Sequence, residues 1–266
     1  MNTRSSFVAP NFDRLARAYR WMEWASFGPF LNLCRLTYLP RLTHCRSALV
    51  LGDGDGRFTA GLLRVNPFIH VHAVDASPAM LDTLTQTCSA NAIRLTTEKS
   101  DLRIWQPAPV SIPLAASTFD LVVTHFFLDC LSTSEVLALA QRIKPIISPR
   151  ALWVVSEFAV PPGRFGRLVA RPIVHGLYLA FGLLTGLRTR ALPDYAIALS
   201  AAGFTRLERR PRLGGLLVSE LWAAANPSFE NAAVQSPPPR LDLERPHAAP
   251  ESSQSAQNLP GLLQLC

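Results

Sequence analysis

A chain of 266 residues, 48% hydrophobic, with net charge +7, has the length of one large domain or two small ones and enough apolar side chains for a sizeable core. Five scattered cysteines without a CxxC pair argue against a disulfide framework or a zinc site and for free thiols in a reducing cytoplasm. No opening segment has the charged-then-apolar form of a signal peptide. Almost all the positive charge is arginine, since Lys99 and Lys144 are the only lysines, and two basic segments poor in acid flank the central region. Residues 1–47 carry seven arginines against Asp13 and Glu23, and Pro161 to Leu192 carries Arg164, Arg167, Arg171, Arg188 and Arg190 with no acid. Such segments suit an anionic surface, either a lipid headgroup layer or an acidic substrate. No aromatic-basic interleaving or zinc-finger spacing points to nucleic acid.

In chain order, Phe12, Leu15, Tyr19 and Met22 recur at helical spacing, and the pattern continues to about residue 46 beyond a break at Gly28-Pro29, giving an N-terminal helical cap over 1–46. A strand, Ala48–Leu51, runs into Gly52-Asp53-Gly54-Asp55-Gly56, and a helix follows from Phe58 to Val65, ending at Asn66-Pro67. His70–Val74 is a second strand closed by Asp75. Ser77 is the N-cap and Pro78 the first residue of the next helix. Ile93–Thr97 is a third strand with Asp101 just past it, and Phe119–Thr124 a fourth. Thr133 or Ser134 caps a helix to Ile143, and Ala151–Glu157 is a fifth strand. An apolar helical insert occupies 164–187. Another helix runs from Pro193-Asp194 to Gly203. Phe204–Arg210 and Leu216–Ala223 close the series as a hairpin about Gly214-Gly215, which makes one edge strand antiparallel. Residues 226–266 have the Pro- and Ser-rich composition of a disordered tail. Strands alternating with helices predict an α/β fold: a Rossmann-like seven-stranded mixed sheet, helices on both faces, with an antiparallel C-terminal hairpin, all within 47–225.

The glycine turn is the most informative stretch. A strand, a bare turn and a helix start place backbone amides at one point and let a ligand approach without meeting a Cβ. The spacing is GxGxG. Position 57, where a dinucleotide fingerprint has its third glycine, is Arg57, which disfavours a nucleotide-dependent oxidoreductase.

GDGDG after the first strand, VDAS after the second, SDLR after the third and FDLVV as the fourth resemble, in that order, the class I S-adenosylmethionine-dependent methyltransferases, over about residues 44–224. The resemblance implies S-adenosyl-L-methionine as cofactor. Its amino-acid part would pass Gly52, Gly54 and Gly56, its ribose would meet Asp75, and its adenine would meet Asp101, the Leu102 amide and the side chain of Met80. The family usually carries an acid two residues before the first glycine, and here Val50 stands there. Asp53 or Asp55 either replaces that carboxylate or forms the turn while facing solvent.

Residues 11–24 are similar to the entry helix of the ubiquinone and menaquinone C-methyltransferases, which implies Tyr19 over the cofactor and a helical substrate cover at 164–187. The catalytic candidate is His125, at the end of the fourth strand, as a base titrating near neutrality. Asp129, Glu157 and His175 are the other titratable residues weighed for that side of the site, each with a plain structural reading beside the functional one. The insert is too short an apolar run to span a bilayer. It reads as a lid with an apolar inner face and outward arginines, or as an interfacial helix in peripheral contact with a membrane. The expected function is methyl transfer to a small apolar or aromatic acceptor. The alternative is a methyltransferase-like protein that binds cofactor or a partner without catalysis.

Overall fold

The computed structural model describes residues 27–107, 118–185 and 192–224; the rest of the N-terminal cap, the end of the insert and the 226–266 tail lie outside the described residues. Seven strands form one sheet: β1 (Ser47–Leu51), β2 (His70–Asp75), β3 (Leu95–Lys99), β4 (Phe119–His125), β5 (Ile147–Phe158), β6 (Phe204–Arg212) and β7 (Leu217–Ala224). Their order across the sheet is β3-β2-β1-β4-β5-β7-β6. The first five are parallel, with Ala48 of β1 in register with Val71 of β2 and with Leu121 of β4. The expected α/β architecture is therefore present.

The expected C-terminal hairpin is present too, with β6 at the edge of the sheet antiparallel to its neighbour. β7 pairs antiparallel with both β5 and β6, so the reversed strand lies inside the sheet, and the edge strand β6 points the same way as β5. The chain reverses at Gly214 and Gly215, whose φ values of 64° and 94° suit glycine. β6 makes a polar edge: Arg206, Glu208, Arg209, Arg210 and Arg212 crowd it, a composition that discourages further strand pairing.

Helices cover both faces. Described helices are α1 (Phe30–Arg35), α2 (Arg57–Val65), α3 (Pro78–Thr87), α4 (Thr133–Ile143), α5 (Arg171–Thr185) and α6 (Tyr195–Ala201). Because side chains alternate along β1, Leu49 and Leu51 join Val136, Leu139 and Leu199 in one core, while Ala48 and Val50 join Phe58, Leu62 and Val123 in the other. Val50 is fully buried there, in apolar company that offers a carboxylate no partner.

Three boundaries depart from the sequence reading, each for a local reason. β3 starts at Leu95, not Ile93: Ile93 is 94% exposed, and Arg94 turns back to donate to the carbonyls of Leu63 and Asn66 at the end of α2. The cap of α4 is Ser132, in a capping box in which Ser132 Oγ accepts from the Glu135 amide and the Glu135 carboxylate accepts from the Ser132 amide. β5 begins at Ile147 rather than Ala151, passing Pro149 through an irregularity in its pairing with β4 between Phe119 and Leu121, where a proline is tolerated. By contrast Ser77 caps α3 as expected, accepting from the Met80 amide at 3.2 Å.

After β5 the insert is helical from Gly163 to Thr185, with a π-helical turn at Gly166–Ala170. Its buried stripe is Gly166, Ala170 and Val174, which packs with Leu31 and Cys34 of α1 and with Phe158, Leu216 and Leu217. Arg164, Arg167 and Arg171 face outward as expected. The leucines do not all turn inward: Leu168 is 73% and Leu179 57% exposed, beside exposed Phe165, Val169 and Ile173. Small residues at four-residue spacing let the helix approach closely, so the close-packed face uses little apolar bulk and leaves the rest outside.

Candidate active site

The parallel strands place the ends of β1, β2, β4 and β5 on one side of the sheet. The strand order reverses between β1 and β4, which is where α/β sheets form ligand crevices. The glycine turn leaves β1 at that point. Gly52, Gly54 and Gly56 all have left-handed φ, 66°, 61° and 77°, so the turn presents bare amides before α2 begins. A Cβ on Gly52 would lie 2.6 Å from the Phe127 ring, and one on Gly56 would lie 2.9 Å from the Leu84 backbone.

Both aspartates of the turn face inward, which corrects the solvent-facing alternative. Asp53 Oδ2 accepts from the amide and the hydroxyl of Thr59, at 3.0 and 2.6 Å, and so caps the first turn of α2. Its Oδ1 is buried without a hydrogen-bond partner. Burial pushes the Asp53 carboxyl up to about 6, against the two Thr59 bonds and the nearby Arg35 guanidinium, which favour its charge. Asp55 accepts from Arg57 Nε at 2.8 Å.

Asp75 ends β2, and its Oδ1 accepts from the Ser77 amide at 2.9 Å. Asp101 lies two residues past β3, and its Oδ1 accepts from the Arg103 amide at 3.0 Å in a tight turn. Leu102 is buried and its carbonyl accepts from Arg142. Met80 is buried in the first turn of α3. The structure thus brings Gly52, Asp53, Gly54, Gly56, Asp75, Met80, Asp101 and Leu102 to neighbouring strand ends.

His125 lies on the opposite side of β4 from Thr124, in the α2 core. Its ring meets Phe58 edge-on with centroids 4.5 Å apart, and neither ring nitrogen has a hydrogen-bond partner. Burial, with Arg35 adding to it, holds its pKa well below 6.5, so the ring is neutral at physiological pH. This is the environment of a packed imidazole rather than of a base exchanging protons with a ligand. His175, by contrast, is exposed on α5.

Sequence reading missed three features. Phe126 adopts a left-handed φ of 53°, unusual for a bulky side chain, and stacks under the buried Arg35 guanidinium at 5.1 Å. The next residue, Phe127, then lies against Gly52. Glu157, weighed as a solvated strand end, is only 1% exposed: Oε1 accepts from the amides of Phe127 and Leu128 at 3.0 and 2.7 Å, and Oε2 has no partner. An arginine inside the leucine-rich FLNLCR run is the one sequence signal that anticipates any of this.

A family described as a methyltransferase domain matches residues 48–150, which contain β1 to β4, the glycine turn and both strand-end acids. No characterised protein sequence gives a significant match. Among solved structures, mitomycin 7-O-methyltransferase is 14% identical with a TM-score of 0.60, covering 81% of this chain and 61% of that one. An O-methyltransferase-type structure from Nostoc punctiforme is 17% identical with a TM-score of 0.61, covering 84% and 64%. Human N-acetylserotonin methyltransferase, solved with S-adenosylmethionine, is 18% identical with a TM-score of 0.54, covering 80% and 56%. The chain therefore spans less than two thirds of the length of these three structures. Residues 48–150 thus match a methyltransferase domain, and the chain shares the fold of these structures, the last of which holds S-adenosylmethionine.

The residues at the site fit that cofactor. The glycine turn presents a backbone bare of Cβ atoms, the Asp53 Oδ1 is an unmatched buried acceptor, and Asp75 and Asp101 set carboxylates at adjacent strand ends.

Proposed function

We propose that this protein transfers a methyl group from S-adenosylmethionine to a small apolar or aromatic acceptor. The observation that carries the reading is the left-handed glycine triplet leaving β1 beside Asp75 at the end of β2. In this reading Gly52, Gly54 and Gly56 pass the amino-acid part of the cofactor, and Asp53 replaces the acid absent at Val50 as the partner of its ammonium. Asp75 accepts from both ribose hydroxyls, while Asp101, the Leu102 amide and Met80 hold the adenine. Bound there, the cofactor supplies an electrophilic methyl group on a sulfonium. The protein's own task is to position an acceptor, keep water out and dispose of a proton where the acceptor carries one.

A second reading, binding without turnover, is favoured by one observation: Val50 sits in an apolar core where the usual acid is absent. Calorimetric titration with S-adenosylmethionine, its demethylated product and NAD separates the readings. Micromolar binding of the first two and none of NAD is expected. Binding of neither overturns methyl transfer, and binding with no methylation of any phenol, amine or quinol offered supports the second reading.

The acceptor is lipid-associated in this proposal, and the insert is the contact with the membrane. Arg164, Arg167 and Arg171 surround exposed Phe165, Leu168, Val169 and Ile173 on a helix without an acid, a composition that suits an anionic headgroup layer over a shallow apolar zone. Among the described residues no helix is long and apolar enough to cross a membrane.

A further inference from the structure

We propose that Phe127, held against the glycine turn by Glu157, presents the aromatic face that recognises the cationic sulfonium of S-adenosylmethionine, and so favours that cofactor over its uncharged demethylated product. This rests on the methyl-transfer reading for its cofactor, but the placement of Phe127 stands on geometry. β4 lies beside β1, with Thr124 in register with Leu51, so the loop leaving β4 runs next to the turn leaving β1. The two aromatic residues of that loop go to different places. Phe126, with its left-handed φ of 53°, sets its ring 5.1 Å from the Arg35 guanidinium and 5.2 Å from the Phe158 ring. Phe127 packs instead against the core under α4 and meets Gly52. The atoms nearest to a Cβ placed on Gly52 are Phe127 Cδ2 and Cγ, at 2.6 and 2.7 Å, so the bare face of that glycine is covered by a ring. Phe127 is only half-buried, which leaves part of the ring open beside the turn.

Glu157 fixes this arrangement. It follows Ser156, the register partner of His125, and is buried at the end of β5. Its Oε1 accepts from the Phe127 amide at 3.0 Å and from the Leu128 amide at 2.7 Å. The Phe127 carbonyl in turn accepts from the Cys130 amide at 3.0 Å, across the short 3-10 turn Leu128–Cys130. Both polar groups of the Phe127 backbone are therefore bonded, and the ring that projects from it is held over Gly52. Glu157 acts as a positioning residue: it sets the ring through the backbone.

The chemistry of the cofactor supplies the rest. In the proposed reading its amino-acid part passes the glycine turn and its ribose meets Asp75, and the sulfonium is the group that joins those two parts. An aromatic ring attracts a cation through its negative face, more strongly where water is excluded. The demethylated product is a neutral thioether and gains nothing from that field. The same ring thus holds the cofactor before transfer and releases its product more readily afterwards.

Calorimetric titration of the full chain with S-adenosylmethionine and with its demethylated product tests the assignment. Phe127→Leu keeps apolar bulk on Gly52 and removes the aromatic face. It should raise the S-adenosylmethionine Kd about 3–30-fold and leave the product Kd within about twofold. Fluorinated phenylalanines at position 127 weaken the negative face while keeping the shape of the ring, and should raise the S-adenosylmethionine Kd stepwise with each fluorine. Glu157→Ala should show the same selective loss, and Glu157→Gln, which keeps an oxygen for the two amides, should restore it. Equal weakening of both ligands in Phe127→Leu, an unchanged S-adenosylmethionine Kd there, or a flat fluorine series would overturn the proposal and leave Phe127 a packing residue. A wild-type ratio of the two Kd values in Glu157→Ala would overturn the part given to Glu157. If Phe127→Leu or Glu157→Ala melts far below wild type, the fluorine series decides. Binding of neither ligand by the wild type would overturn methyl transfer together with this inference, whereas wild-type binding of both with no selective loss in the variants would overturn this inference alone.

Discussion

Gly52 occupies a position with two independent constraints. Its φ of 66° strains any residue with a Cβ, and a Cβ there meets the Phe127 ring at 2.6 Å. Gly52→Ala is expected to lower stability by about 2–4 kcal/mol in denaturant unfolding, combining backbone strain with the clash. Adding Phe127→Ala should recover the part due to the ring and leave the part due to φ, and full recovery would mean that the backbone is unstrained. The strand-end acids separate by how much each can offer a ligand. Asp75→Ala should weaken S-adenosylmethionine binding more than Asp101→Ala, since a carboxylate accepting from two ribose hydroxyls loses two bonds of about 1.5–3 kcal/mol each. Asp101 loses one, beside the Leu102 amide. Equal small losses by calorimetry would sink the ribose assignment. Asp53 predicts a pH dependence. Its folded-state pKa is raised from 3.8 to about 6, so its contribution to stability is present below about 4 and declines as pH rises through about 6. Asp53→Asn, which keeps an acceptor for Thr59, should flatten the melting-temperature profile over that window, by about 3 kcal/mol at most. An unchanged profile would place the titration elsewhere, Asp129 being the next group with the same direction.

At the scale of elements, what was legible in the sequence and what was not divide on physical grounds. Strand and turn identities follow from local pattern: four apolar residues running into glycines, serine before proline, and paired glycines between the last strands each carry their own conformational signal. The depth of Glu157 and the approach of Phe127 to Gly52 do not, because they depend on which strands lie side by side and on one left-handed residue, Phe126, that no propensity favours. The cap of α4 was misplaced by one residue because Ser132, Thr133 and Ser134 are all competent caps, and only the reach of Glu135 selects among them. The insert was legible as a helix but not in its orientation, since Gly166 and Ala170 are inconspicuous in a periodicity read from large side chains. Its outward Leu168 and Ile173 lead to a further expectation. The protein should sediment with anionic vesicles at low salt and be released as salt rises, and Leu168→Glu with Ile173→Glu should abolish sedimentation without changing the melting temperature. Sedimentation unaffected by these changes would move the contact away from this helix.

Across the whole molecule, the sheet depends on β7 for its coherence. Glu220, in the middle of β7, is 1% exposed; it pairs with Arg206 at 3.1 Å and Arg209 at 2.9 Å on β6 and accepts from Trp222 Nε1 at 3.0 Å. Glu220→Ala should cost about 2–4 kcal/mol, chiefly because the buried indole N–H and one face of β6 lose their partner, and a chemical denaturation curve would show it. Glu220→Gln should cost less, since it retains an acceptor for Trp222. A loss confined to the pairing of β6, with the melting of the remainder unchanged, would contradict a single cooperative sheet.

The interior position of β7 also has a consequence in time. The strand that β5 needs as its neighbour ends at Ala224, 66 residues after Phe158 ends β5. At a synthesis rate of about 5–20 residues per second, that is an interval of about 3–13 seconds during which β1 to β5 can assemble but one flank of β5 has no partner. β6 is made first, but its lane lies one strand further out, so that flank of β5 waits for β7. The nascent protein thus carries an open, apolar sheet margin until the last strand of the sheet is made, and that interval is when it is most exposed to pairing with another chain.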